Sequence, residues 1–182
     1  MKKKIVLRVI VGVIGVVLLG VGISYWWILG QYNATMYSKA RKWIHEDFLD
    51  NNRVRGASYI NKEYNPDMIY DEENWVEKYI YDKESPKNRT FIIKDEITFN
   101  NIFKENSFDV DFDKEMVILY MVSDVCPREC YILNILNDDD ILTIQYMHKF
   151  SNACDTVQPY PRCMVVKMKK MDISGVEFIE VY

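Results

Sequence analysis

The chain has 182 residues, 49% of them hydrophobic and 14% aromatic, which suits one domain with a real core and argues against whole-chain disorder. It holds 23 Lys and Arg against 27 Asp and Glu, and four of the basic residues (Lys2, Lys3, Lys4, Arg8) but no acidic one fall in the first thirty positions. The remainder is strongly acidic, which repels phosphate backbones and argues against a nucleic-acid partner.

From Ile5 to Leu29 the chain is almost unbroken apolar, and from Val9 to Leu29 it carries no charge. About 20 apolar residues cross the hydrocarbon of a bilayer as a helix. The basic flank is expected to stay in the cytoplasm, and Tyr25, Trp26 and Trp27 to sit at the opposite interface. Residues 1–30 are therefore predicted to be a single-pass transmembrane anchor, with everything after them extracytoplasmic. A cleaved signal peptide is the rival, with Ser38-Lys39-Ala40 as the better cleavage candidate, but the apolar stretch is longer than the usual signal core. No cysteine precedes Cys126, so no lipid-modified N-terminal cysteine is expected.

Residues 31–56 read as a juxtamembrane helix and loop. Tyr37, Ala40, Ile44 and Phe48 would share one face of a helix over Met36–Leu49, with Trp43 beside them, and Gly56 marks the break. Residues 57–182 read as the extracytoplasmic domain, with its core in 90–182. Tyr59, Tyr64, Tyr70, Trp75, Tyr79 and Tyr81 form an aromatic series in a polar stretch. Such rings either pin an irregular segment to a core or stack on sugars, and the first is preferred. Phe91-Ile92-Ile93 predicts a strand, Asp95 an N-cap, and Ile97, Phe99, Ile102 and Phe103 a short amphipathic helix. Met116–Val122 predicts a central strand buried on both faces. Cys130–Leu136 and Ile141–Met147 predict a hairpin around Asn137–Asp140, and Cys163–Met168 and Val176–Val181 two further strands. The fold class expected is α+β: a transmembrane helix, then a small antiparallel sheet packed on one short helix.

The order FIIKDEITFNNIF, VDFDKEMVILYMV, YILNIL…ILTIQY and YPRCMVVKM, over residues 90 to 182, resembles a loose group of small secreted or anchored bacterial domains. Some of these are labelled PrcB-like, after a protease-complex component. The resemblance implies an extracytoplasmic domain, transfers no active site, and suggests a regulator or subunit of a surface protease.

Cys126, Cys130, Cys154 and Cys163 are the four cysteines. An even number in an oxidising compartment points to two disulfides, simplest as 126–130 with 154–163, with cross-linking of the two loops as the next possibility. Reduced thiols and a zinc site are the alternatives, and the C-x3-C…C-x8-C spacing does not match familiar zinc sites. Only His45 and His148 are available for acid–base work, and a Cys–His pair would need a thiolate and a third, orienting group. Asp109-x-Asp111-x-Asp113 begins like a calcium loop, but Lys114 stands where Gly is needed and Tyr120 where the bidentate Glu should be. No catalytic residue, metal ligand or cofactor is assigned. The function expected is a membrane-anchored interaction or sensing domain with a protein partner at the cell surface. An extracytoplasmic enzyme or redox protein using the Cys126–Cys163 region is the alternative.

Overall fold

The computed structural model describes residues 30–65, 77–126, 129–149 and 158–182. Strands dominate them: β1 (Thr35–Tyr37), β2 (Ser58–Ile60), β3 (Tyr79–Tyr81), β4 (Asn88–Ile93), β5 (Glu115–Asp124), β6 (Cys130–Asp138), β7 (Ile141–His148), β8 (Tyr160–Lys169) and β9 (Gly175–Glu180). Helical among them are residues 30–32, a 3-10 turn at Ala40–Trp43 and two short α-helices, Glu46–Asn51 and Glu96–Ile102. The expected transmembrane segment lies outside the described residues. Among the described residues no helix is long and apolar enough to cross a membrane.

The expected α+β class, an antiparallel sheet on one helix, is corrected to a mostly-sheet fold. The strands form a four-stranded sheet in the order β1-β8-β5-β4, a three-stranded sheet β6-β7-β9 and a two-stranded ribbon β2-β3. β9 runs parallel to β7, from Ile141↔Gly175 to Tyr146↔Glu180. The cause lies in β8. Its residues Pro161–Val166 are buried without interruption, so it needs cover on both faces and takes a central place between β1 and β5 instead of extending the β6-β7 hairpin. β9 follows β8 after residues 170–174, so the path from β7 to its parallel partner runs through β8, the long crossover that a parallel pair requires.

β5 shows how the layers are built. Alternate residues of a strand face opposite sides. Met116 and Ile118 meet Ile132 and Ile135 of β6, Leu142 and Ile144 of β7, and Val166 and Met168 of β8 in a core between the two larger sheets. Val117, Leu119 and Met121 point the other way, onto Ala40, Ile44, Leu49, Phe99, Ile102 and Phe103. The predicted burial of Met116–Val122 on both faces therefore holds, and Val122 is only half-buried. A bulge in β6 between Ile132 and Asn134 changes its parity, so Ile132 and Ile135 both face inward although three residues apart.

The Glu96–Ile102 helix forms where expected. Asp95 Oδ1 accepts from Thr98 N at 2.8 Å, and its Oδ2 accepts from Thr98 Oγ1 at 2.8 Å, which satisfies a donor otherwise left open at the first turn. Phe99, Ile102 and Phe103 are buried while Ile97 is exposed. The helix ends because Phe103 is extended and forms a β-bridge with Ile44.

The helix predicted over Met36–Leu49 is not formed. Met36 and Tyr37 belong to β1 and pair with Val166 and Val165 of β8. A 3-10 turn follows, and Ile44 bridges Phe103 before the Glu46–Asn51 helix begins. Edge pairing and the bridge satisfy backbone groups that a helix would have closed internally. The apolar spacing still reports burial, for Ala40, Ile44 and Leu49 join the core with Val54 and Ala57. The Asn137–Asp140 turn is a tight hairpin in which Asp139 and Asp140 take positive φ of 43° and 67°, as a two-residue loop matching the strand twist demands.

Candidate functional site

At one end of the slot between the two larger sheets, the inward-facing series of five strands finish in polar residues. On β5 the series Ile118, Tyr120, Val122 ends at Asp124. β6 starts at Cys130, β7 ends Leu142, Ile144, Tyr146 with His148, β8 places Arg162 ahead of Met164 and Val166, and β9 ends Val176, Phe178 with Glu180. Period-two alternation puts each polar side chain on the core-facing side, and the sheet order brings them together. Cys130 pairs directly with His148 across β6-β7. Asp124 lies two residues beyond Val122, the cross-strand partner of Arg162, so the two are diagonal neighbours on one face.

Cys130 Sγ lies 3.2 Å from His148 Nδ1, and His148 Nε2 lies 3.0 Å from Glu180 Oε1. Arg162 is only 3% exposed. Its Nη2 donates to Cys130 Sγ at 2.9 Å, its Nη1 lies 3.3 Å from His148 Nδ1, and the same Nη1 donates to Asp124 Oδ2. Asp124 Oδ1 also accepts from the Cys126 backbone N–H at 3.0 Å. A buried guanidinium is tolerated because a carboxylate and further acceptors surround it. The carboxylate of Glu180 accepts only from an N–H, which places the proton of a neutral His148 on Nε2 and its lone pair on Nδ1, toward Cys130. Burial raises the pKa of the Tyr146 and Tyr160 phenols that border this cluster, so they stay neutral near pH 7.

The cysteines are not paired as the simplest reading had them. Cys130 and Cys163 carry thiols, whereas Cys126 is disulfide-bonded; Cys154 lies outside the described residues. The expected 126–130 and 154–163 bridges are therefore corrected. The physical reason is facing. Cys130 packs with Tyr120, Tyr146 and Met164 between the sheets, whereas Cys163 points to the opposite side of β8, against the helical layer. Burial pushes the Cys163 thiol up to about 12, which leaves it protonated and inert.

The remaining candidates are not gathered here. His45 sits at the N-cap of the Glu46–Asn51 helix without a side-chain cap bond. Asp111 organises the lead into β5: its Oδ1 accepts from Asp113 N at 3.2 Å and its Oδ2 from Lys114 Nζ at 2.6 Å. Among the described residues no group of three His, Cys, Asp or Glu side chains is placed to hold a metal ion. Asp124, Arg162 and Glu180 were missed from the sequence. Arg162 alone left a signal there, as a charge directly ahead of the apolar run Cys163–Val166, where it must be paired.

Arg162 also closes the back of a surface groove of about 700 Å³. Its apolar part is Leu49, Tyr59, Ile60 and Tyr160, and five basic side chains line it (Lys39, Arg41, Lys42, Lys62, Arg162) against two acidic ones, Glu46 and Asp50. Tyr59 is the aromatic that pins this wall, since it is 3% exposed and its hydroxyl accepts from Val54 N at 2.7 Å. Lys62 pairs with Asp50 at 2.8 Å, and Arg41 with Glu46 at 4.0 Å. Both are surface pairs, held by little energy and open to exchange with a ligand.

No protein-family model matches the chain, and neither does any curated protein or solved structure.

Proposed function

We propose that this is a membrane-tethered interaction domain that holds the Tyr59–Tyr160 groove outside the cytoplasm and receives an acidic segment of a partner protein. The observation that carries the reading is the inverted charge of the groove: five basic and two acidic side chains on a chain of net charge −4. Cations beside an apolar, tyrosine-bearing floor suit carboxylates on an extended chain, and complementary charge steers their approach. The uncharged stretch from Val9 to Leu29, with three lysines before it, supports the tether and its orientation.

The test uses the full-length chain in detergent micelles and two decapeptides carrying a neutral dye, one rich in Asp and Glu and one rich in Lys. Fluorescence anisotropy should show binding of the acidic peptide only, weakening as salt is raised. The double variant Lys42→Glu/Lys62→Glu should lower its affinity by about tenfold or more, which is ~1.4 kcal/mol or above. Equal affinity for both peptides, or indifference to the double variant, contradicts the proposal.

A further inference from the structure

We propose that Cys130 is a nucleophilic thiol for thiol–disulfide exchange, with His148 as its proton acceptor, Glu180 orienting that imidazole, and Arg162 holding the thiolate. The arrangement is a built cluster on four strands. The thiol hydrogen of Cys130 faces the lone pair of His148 Nδ1 at 3.2 Å, and Glu180 fixes that tautomer from the far side of the ring at 3.0 Å. Transfer of the proton leaves a thiolate already facing Arg162 Nη2 at 2.9 Å and an imidazolium facing the Glu180 carboxylate. Both new charges meet a partner that is present beforehand, as an activated nucleophile requires. Arg162 opposes the imidazolium, but Asp124 accepts from the same guanidinium.

The other charged and titratable groups near Cys130 are Lys39, Lys42, Glu129, Lys149, Tyr146 and Tyr160; Glu129 engages Lys149 Nζ at 3.3 Å through Oε2 and Lys39 Nζ at 3.8 Å through Oε1. Cys163 cannot substitute for Cys130, because it lies in the other core with its thiol held protonated. Cys130 is 7% exposed, and it lines a cavity of about 360 Å³ with Met36, Trp43 and Glu129, adjoining the groove through Lys39 and Lys42.

The substrate class is a disulfide. The Cys130 thiolate attacks one sulfur, a new S–S bond forms to Cys130, and the old S–S bond breaks. The displaced sulfur leaves as a thiolate and takes the proton that His148 holds. Electrons balance within the exchange, so no outside oxidant is needed. Two sources fit this chemistry. One is a small external disulfide. The other is the chain's own disulfide at Cys126, four positions before Cys130 and tied by its backbone N–H to Asp124.

The experiment takes the full-length chain in micelles, adds glutathione disulfide, and maps cysteine linkages by mass spectrometry under acid quench. A Cys130–glutathione mixed disulfide identifies the external source. A Cys126–Cys130 linkage with a new thiol elsewhere identifies the internal one. Iodoacetamide labelling of the native chain at pH 6 should modify Cys130 at least ~10-fold faster than it modifies glutathione, whose thiol resembles a free cysteine of pKa about 8.5. His148→Ala should remove that advantage. Glu180→Gln, which keeps the imidazole and a hydrogen-bond acceptor, should shift the labelling profile to higher pH with the fold intact. The proposal is overturned if Cys130 remains a thiol in the linkage map, or if its labelling follows the glutathione pH profile in the wild type and in both variants.

Discussion

Leu119→Ala should destabilise the chain by about 2–5 kcal/mol, the cost of a leucine cavity in a core that relaxes only in part. Leu119 has no solvent exposure and lies mid-strand in β5, paired with Phe91 on one side and Val165 on the other. Its side chain points into the layer that holds Ile44, Phe99 and Phe103, so the helical segments have no route to fill the hole without leaving β5. The control is Ile97→Ala, at a position 77% exposed, where a change within about 0.5 kcal/mol is expected. Urea unfolding of the full-length chain in micelles measures both. A similar, small shift for the two variants would remove β5 from the centre of the fold.

Arg162→Ala should cost about 3 kcal/mol or more, because it deletes a buried stem and leaves Asp124 without its counter-charge. The guanidinium is 3% exposed and the Asp124 side chain 19%, so Asp124 regains some hydration while Arg162 regains almost none. Asp124→Ala should therefore harm the chain at least as much as its smaller contact area suggests, by stranding a buried cation. The two losses share one interaction, so the double variant should lose clearly less than the two single losses combined. Unfolding free energies of the wild type, both single variants and the double variant give the coupling. Additive losses would mean that the pair is not held together in the folded chain.

The elements easiest to read from the sequence are those fixed by local chemistry. Asp95 ahead of Ile97, Phe99 and Ile102 marked a capped helix, and it forms at Glu96–Ile102. The Asn137–Asp140 turn and the strands around it were legible because tight hairpins need residues tolerant of positive φ. Periodicity also reported burial correctly at Ala40 and Ile44, but it could not say that the backbone there is a 3-10 turn and a β-bridge. The polar cluster was hidden for a different reason. Asp124, Cys130, His148, Arg162 and Glu180 lie on five strands, and only the central insertion of β8 and the parallel return of β9 bring them to one end. Strand partners are a long-range choice, which alternation within each strand does not encode. Cys130 and Cys163 each face inward, one into the polar cluster and one into the helical layer, so nearness along the chain misdirected the 126–130 and 154–163 pairings.

The proposed outward-facing, membrane-tethered arrangement is tested most directly by a reporter fused after Tyr182 of the full-length chain and expressed in a bacterium. Alkaline phosphatase, which folds only outside the cytoplasm, should be active there, and a fluorescent protein that matures only in the cytoplasm should be dark. An active cytoplasmic reporter with a silent phosphatase would place the groove on the wrong side of the membrane and contradict the proposed function.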